Sequence, residues 1–207
     1  MRLATIIVLI GLALFTLVRG AYVVGFSIAK ANMFADAAGV DRVQAWQDVA
    51  GVEAAARRAA RAPLLSATDP KELQVYAHQV KAALEVSPLA PTDWLSLAGL
   101  RLILSAPEDD VVSALNMSVL AGPNEGAVML QRSMFGLLEW EHLPSATHAQ
   151  TIRDLVGSIL DDASSEQANV LLKEALASES SETRSEIQAA LREDGINDSQ
   201  RAQLGLQ

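Results

Sequence analysis

Residues 88–123 read PLAPTDWLSLAGLRLILSAPEDDVVSALNMSVLAGP, and this stretch is the strongest indication of a helical fold. Proline divides it into two apolar segments that are rich in leucine and alanine, which favour helices, and that lack the alternation of a strand. The first segment, Trp94–Leu104, is apolar on nearly every side, which predicts a buried central helix. The acidic residues at 108–110 suit the N-terminus of a second helix, which ends at Gly122 and Pro123. The stretch therefore predicts two helices in succession.

Helical patterns continue on both sides of this stretch. Asp69 is a good N-cap, because Pro70 follows at the first helical position and Glu72 at the third. Apolar residues at helical spacing predict the remaining helices, which cover about residues 43–61, 73–84, 124–141, 152–160, 164–176 and 187–191. Residues 195–207 are expected to form a frayed tail. The sequence therefore predicts an all-α chain.

The composition limits the classes of partner and chemistry. The chain has 207 residues and a net charge of −9, with 25 acidic and 16 basic side chains. An acidic surface repels phosphate backbones, so the composition argues against nucleic acid as a partner. Cysteine is absent, which excludes disulfides, thiol catalysis and cysteine-ligated metal sites.

The N-terminal apolar run predicts a membrane anchor. Leu3–Val18 is apolar apart from one glycine and two threonines, and extension to about Val24 gives enough length for a helix to cross a bilayer. We expect residues 1–30 to be a single-pass signal anchor in a bacterial inner membrane, with an exported, periplasmic domain, because a very short tail precedes a long apolar run. A cleaved signal peptide is the alternative, since residues 29–31 have the small-x-small form of a cleavage site.

Three small residues of this region, Ala21, Gly25 and Ala29, recur every four positions and lie on one face of a helix. Such a stripe lets a second membrane helix approach closely, which makes these residues candidates for membrane-helix packing. Chance spacing in an alanine-rich chain is the alternative. Residues 31–68, which follow the predicted anchor, are expected to form a juxtamembrane helical segment.

Residues 69–194 are expected to form one helical domain, in which Trp94, Leu97 and Ala98 lie on a first helix and Val111, Leu115, Ser118 and Pro123 on a second. If one inserted residue is allowed, these positions match the pattern of a tetratricopeptide repeat, and the resemblance to that family covers roughly residues 71–160. Two helix-closing prolines, Pro88 and Pro123, are 35 residues apart, which is close to the repeat length of the family. Arg101 departs from the pattern, because it stands where the family usually has an aromatic residue.

The resemblance implies a surface that binds partners, because such repeats leave one side of each helix pair exposed. The residues that it places on this surface are Arg101, Gln131 and Arg132. A single membrane span followed by degenerate helical repeats is also similar to small bacterial accessory proteins of the cell envelope and of polysaccharide export.

Motifs of catalysis are absent from the sequence. It contains no nucleophile elbow, P-loop, dinucleotide fingerprint or zinc-protease helix. Glu139 and His142 have the i, i+3 spacing of carboxylate-bridged metal sites, but a solvated pair at a helix end is the simpler interpretation. We therefore expect no catalytic residue, no cofactor and no metal, and a chain that is not an enzyme.

These observations predict a membrane-anchored interaction or scaffold protein that docks a protein partner in a cell-envelope assembly, such as one for polysaccharide biosynthesis or export. In this hypothesis membrane lipid is contacted through the N-terminal helix. One alternative is a small structural subunit of a membrane complex, bound mainly through its transmembrane helix. An enzyme acting on envelope polymer is the other alternative.

Overall fold

The computed structural model describes residues 2–32, 39–49, 52–60, 68–160, 166–193 and 195–206. Throughout these ranges the chain consists of helices and the turns between them, and it contains no strand. The helices are α1 (Arg2–Ala31), α2 (Gly39–Gln44), α3 (Glu53–Ala60), α4 (Pro70–Val86), α5 (Pro91–Ile103), α6 (Glu108–Ala121), α7 (Gly126–Leu138), α8 (Ser145–Leu160), α9 (Glu166–Ser178), α10 (Ser181–Glu193) and α11 (Asp198–Gln203), with a 3₁₀ turn at Trp140–His142.

Two compact units divide the chain between Pro88 and Leu89. The predicted boundary at residue 69 therefore falls inside the first unit, because α4 packs against α3. Asp69 caps α4 as its sequence predicted, since its side chain accepts a hydrogen bond from the backbone N–H of Lys71 at 2.8 Å.

The first unit contains a small apolar cluster. Phe26 of α1 packs with Val43, Val52 and Ala56, and Trp46 is partly buried against this cluster. Phe26 and Trp46 meet edge to face, with ring centroids 6.4 Å apart, a favourable arrangement for aromatic rings. The C-terminal part of α1 is thus joined to the helices that follow it in the first unit.

The structure contradicts the predicted transmembrane anchor. In the part of the chain that it describes, no helix has the length and apolar character needed to cross a membrane. Within residues 15–31, Arg19 and Lys30 interrupt the apolar run, and Phe26 is buried against residues of the same unit. The prediction of a signal anchor, and with it that of a single-pass inner-membrane protein with a periplasmic domain, is therefore wrong on this finding.

The second unit begins with an antiparallel pair of helices, α5 and α6, joined by a short turn. The hydroxyl of Ser118, near the end of α6, donates to the carbonyl of Pro91, at the start of α5, at 2.8 Å. Gly122 is required at this end, because a Cβ there would lie 2.7 Å from the ring of Pro91. Pro91 and Gly122 thus help to fix where α5 begins and where α6 ends.

One face of α5 is buried. Leu97, Ala98 and Leu100 are in the core, whereas Trp94 is half-buried and Ile103 is 65% exposed. The prediction of a helix buried on all sides holds for that face alone, because α6 and α7 cover only part of the helix. The rest of α5 is open.

Helices α7 and α8 form the next pair, and α7 also packs against α5 and α9, while α8 packs against α10. Helix α7 begins at Gly126, which is 35 residues after the start of α5 at Pro91. The core of this part is formed by aliphatic side chains of several helices and Trp140, namely Leu137, Trp140, Ile152, Leu155, Leu172, Leu176, Ile187, Leu191, Ile196, Leu204 and Leu206.

Residues 195–206 are packed, in contrast to the expected frayed tail. Ile196, Leu204 and Leu206 are buried in the core of the second unit. The guanidinium of Arg201 donates to the carbonyl of Ile196 and contacts the carboxylate of Asp198. Apolar residues on the two sides of the short helix α11 therefore hold the C-terminal segment in place.

Candidate functional site

The candidate site is a groove of about 460 Å³ beside α8 and α10, which we call the α8–α10 groove. The residues that line it are Trp140, Ser145, His148, Ala149, Ile152, Arg153, Glu186, Ala190 and Glu193. They come from the 3₁₀ turn, from one face of α8 and from one face of α10. The volume lies within the range that pockets for small molecules and side chains occupy.

Helical periodicity explains the lining. Ser145, Ala149 and Ile152 follow one another at four and three residues, so they share a face of α8. Glu186 and Glu193 are seven residues apart on α10, two turns along the same face. The groove therefore has a floor of small and apolar side chains and a rim that carries two carboxylates.

A stacked pair of rings, Trp140 and His148, forms part of the groove lining. Their centroids are 3.8 Å apart and their planes are inclined by 18°. Trp140 is 4% exposed and belongs to the core, so it fixes the position of the imidazole. His148 Nε2 lies 3.0 Å from the carbonyl oxygen of Trp140. Because a carbonyl only accepts, Nε2 carries the hydrogen and donates it.

This hydrogen bond leaves His148 Nδ1 as an acceptor in the neutral ring. Nδ1 is buried, and no donor of the described residues bonds to it. Its neighbour is Glu186 Oε1, another acceptor, at 3.6 Å. The other oxygen of the same carboxylate accepts a long hydrogen bond of 3.4 Å from the indole N–H of Trp140. In the neutral ring, the acceptors His148 Nδ1 and Glu186 Oε1 thus face each other, and a hydrogen bond here requires a proton on one of them or another donor.

Glu139 and Glu141 flank Trp140 in the chain, and Glu141 interacts electrostatically with Glu179. Burial raises the pKa of Glu179 above its usual value, and the charge of Glu141 raises it further. His142 Nδ1 lies 3.4 Å from Glu139 Oε2, so the predicted i, i+3 pair is formed at a largely exposed position. In the described residues no group of three or more metal-ligating side chains gathers here or elsewhere.

Arg132, predicted to contact a partner, is instead buried in an ion pair with Asp154. The two residues are 3% and 1% exposed. Arg132 Nε and Nη2 each donate to one oxygen of the carboxylate at 2.8 Å. Nη1 donates to the carbonyls of Ser118 and Gly122 at the end of α6, where the helix dipole favours a cation. These bonds give Arg132 a structural role.

The other two residues predicted for the partner surface are accessible. Gln131 is exposed on α7, and Arg101 is half-buried on α5. Arg101 Nη1 donates to the carbonyl of Asp110 at 2.6 Å, which closes the turn between α5 and α6. The structure does not place either side chain in the α8–α10 groove.

The small-residue stripe of α1 has a neighbour within its own unit. A Cβ on Gly25 would lie 2.6 Å from the ring of Trp46, and Ala29 is partly buried against the same cluster. Ala21 is exposed. The close approach that the stripe permits at Gly25 is therefore made by Trp46 of the same chain.

Comparisons with protein-family models, with curated proteins and with solved structures find no match for this chain. Function is therefore inferred from the geometry and chemistry of the groove residues. Sequence reasoning did not predict the α8–α10 groove, because its residues come from three separate segments. The one available signal was the i, i+3/i+4 spacing of Ser145, His148, Ala149 and Ile152.

Proposed function

We propose that the chain is a protein-interaction module whose second unit binds a segment of a partner protein in the α8–α10 groove. The observation that carries this proposal is the groove itself, which combines a small apolar floor with a polar rim. Convergent polar groups around an apolar surface are the usual composition of a binding site. The proposal concerns binding, and no reaction is assigned to the groove.

The frame around the groove supports the proposal. Trp140 and Ile152 belong to the core while they also line the groove, so its floor is held by packing. The buried pair of Arg132 and Asp154 joins α7 to α8. A rigid surface loses little conformational entropy when it binds, which favours recognition of a segment that becomes ordered on it.

The order of the helices also supports an interaction module. Helices α5, α7 and α9 pack in succession, as they would in an array of helix pairs. Arrays of this type expose continuous surfaces for partners. We propose the resemblance to tetratricopeptide repeats on the same basis, the succession of packed helices, although Arg101 stands where that family usually has an aromatic residue.

A photo-crosslinking amino acid at Ala149 tests the proposal. Ala149 is exposed and lines the groove, whereas Ala127 is an exposed alanine of α7 that does not line it. We expect the Ala149 variant, irradiated in its native cells, to form one discrete adduct whose partner peptide is identified by mass spectrometry. The Ala127 variant serves as the matched control. The absence of an adduct at Ala149, or the same adducts at both positions, would overturn the proposal.

A further inference from the structure

The charges that line the α8–α10 groove favour a cation. Glu186 and Glu193 stand on the rim, and Arg153 is the one lining side chain with a permanent positive charge among the described residues. Arg153 donates to Gln150 Oε1 at 2.8 Å, which directs its guanidinium along its own helix. Two carboxylates against one guanidinium leave a negative balance among the lining side chains.

Beside the stacked rings, two acceptors face each other when the ring of His148 is neutral. His148 Nδ1 and Glu186 Oε1 are both acceptors and lie 3.6 Å apart. The side chain of Glu186 is 57% exposed, so a ligand can reach its carboxylate from the groove. A cation with N–H groups that binds this carboxylate would neutralise the charge that faces the unpaired nitrogen. The site therefore selects a donor with a positive charge.

The shape of the groove favours a planar cation on an aliphatic stem. The ring of His148, stacked on the buried Trp140, belongs to the groove lining, and a guanidinium packs well on the face of an aromatic ring. Ala190 and Ile152 lie along the floor, where methylene groups can be buried. Glu193 stands about 10 Å from Glu186 along α10, as two helical turns require. This combination fits arginine better than lysine, whose ammonium is compact and strongly hydrated.

We infer that the α8–α10 groove binds an arginine side chain of the partner protein, with its guanidinium on Glu186 and its stem over Ala190 and Ile152. The inference rests on the proposed function and names the chemistry of the partner. Glu193 attracts the same segment, and it contributes less than Glu186 because it lies two helical turns further along α10.

Short peptides of known charge test this inference on the full-length chain. The probes are acetyl-Ala-Xaa-Ala-amide with arginine, citrulline or lysine at the central position, titrated while the backbone amides of α8 and α10 are followed by NMR. We expect the arginine peptide to shift resonances of groove residues. Citrulline has almost the same shape without the charge, so its affinity should be lower by roughly tenfold or more. Lysine should bind measurably more weakly than arginine.

Substitutions separate binding from folding. Glu186→Gln should lower the affinity for the arginine peptide by roughly tenfold while the melting temperature is kept. Glu174→Gln, at an exposed position of α9 outside the groove, is the matched control and should leave the affinity unchanged. Glu193→Gln should give a smaller loss than Glu186→Gln.

The outcomes distinguish the inference from the function on which it rests. Equal binding of the citrulline or lysine peptide, or unchanged affinity in Glu186→Gln, would overturn the assignment of arginine. Absence of binding by the arginine peptide, together with a specific adduct at Ala149, would also overturn that assignment and leave the docking groove in place. Failure of the crosslinking experiment would instead overturn the proposed function.

Discussion

Arg132 and Asp154 form a bidentate ion pair in the interior of the second unit, with both N···O distances at 2.8 Å. Gln150 donates to the same carboxylate at 3.2 Å, and two carbonyls at the end of α6 accept from the guanidinium. The pair therefore ties α6, α7 and α8 together. Because Asp154 lies on α8, which lines the α8–α10 groove, the pair is part of the frame that we propose for binding.

Removal of one partner of this pair should be strongly destabilising. Arg132→Met leaves the carboxylate of Asp154 buried and unpaired, which should lower the free energy of unfolding by about 3–5 kcal/mol. The double substitution Arg132→Met with Asp154→Leu should cost less than the single one, because no charge is then left without a partner. Urea denaturation measures each value.

Arg153→Met, at an exposed position, is the control and should change the free energy of unfolding by less than about 0.5 kcal/mol. A cost for Arg132→Met as small as that of the control would show that the pair does not hold these helices together.

Because His148 Nδ1 and Glu186 Oε1 are facing acceptors, we expect that replacement of the charged Glu186 by glutamine does not destabilise the chain. In Glu186→Gln the amide can donate to His148 Nδ1 while its oxygen still accepts from Trp140, so the melting temperature should be unchanged or higher. Glu186→Ala removes the hydrogen bond from Trp140 and leaves the indole N–H without this acceptor, so it should lower the free energy of unfolding by about 1 kcal/mol. Thermal melts at about pH 8, where an ordinary histidine is neutral, provide the comparison. Equal losses in the two variants would contradict the assigned hydrogen-bond pattern.

Two helical glycines should respond in opposite directions to alanine. A Cβ on Gly136 of α7 would lie 3.0 Å from Thr151 Cβ of α8, so Gly136→Ala should cost about 1–3 kcal/mol through overpacking. A Cβ on Gly99 of α5 would meet its nearest neighbour, Phe135, at 3.8 Å, which is ordinary contact. Gly99→Ala should therefore stabilise the chain by about 0.5–1 kcal/mol. Urea denaturation of both variants checks the close approach of α7 and α8. A stabilising Gly136→Ala would refute it.

Glu179 should make stability depend on pH. Burial first, and the charge of Glu141 second, raise the pKa of this carboxyl in the folded chain. The folded state thus holds the proton more tightly than the unfolded state, so the ionised form costs stability at neutral pH and the cost disappears as the pH falls through the raised pKa. Glu179→Gln should increase the melting temperature at about pH 7, by roughly 1 °C because solvent screens a half-buried group.

The gain from Glu179→Gln should vanish at about pH 4, below which the carboxyl is protonated in both states. Glu141→Gln should give part of the same gain, and the double variant should give less than the sum, since the two charges act on each other. A gain that is independent of pH would show that the effect is not the ionisation of Glu179.

Local signals of the sequence predicted the helical character of the chain, but the single helix expected over residues 43–61 is interrupted by turns at residues 45–49, between α2 and α3. The prolines at 91 and 107 and the N-cap at Asp69 act within one turn, so their consequences can be inferred from neighbouring residues. The N-terminal anchor was inferred from the apolar content and length of the run and from the short tail before it. That inference did not anticipate that residues of α1 such as Phe26 would pack against Trp46 of the same unit.

The candidate site depended on contacts that no local pattern reveals. Trp140 and Glu186 are 46 residues apart in the chain, and Arg132 is 22 residues from Asp154. Arg132 was therefore assigned to a surface, although its carboxylate partner buries it. The small-residue stripe was predicted to pack against a second membrane helix, whereas the neighbour of Gly25 in the structure is Trp46 of the same unit.

A bulky side chain in the α8–α10 groove should prevent the partner from binding there. Ala190 is half-buried in the α8–α10 groove, and Ala189, beside it on α10, is exposed and does not line it. The measurement is the yield of the in-cell adduct from the crosslinker at Ala149, with Ala190→Trp or with Ala189→Trp, in variants whose melting temperatures match. Our account predicts that Ala190→Trp reduces the adduct by roughly tenfold, because the indole fills the space that the partner occupies, and that Ala189→Trp leaves it unchanged. An adduct that persists in full with Ala190→Trp would contradict the proposal that the partner binds in this groove.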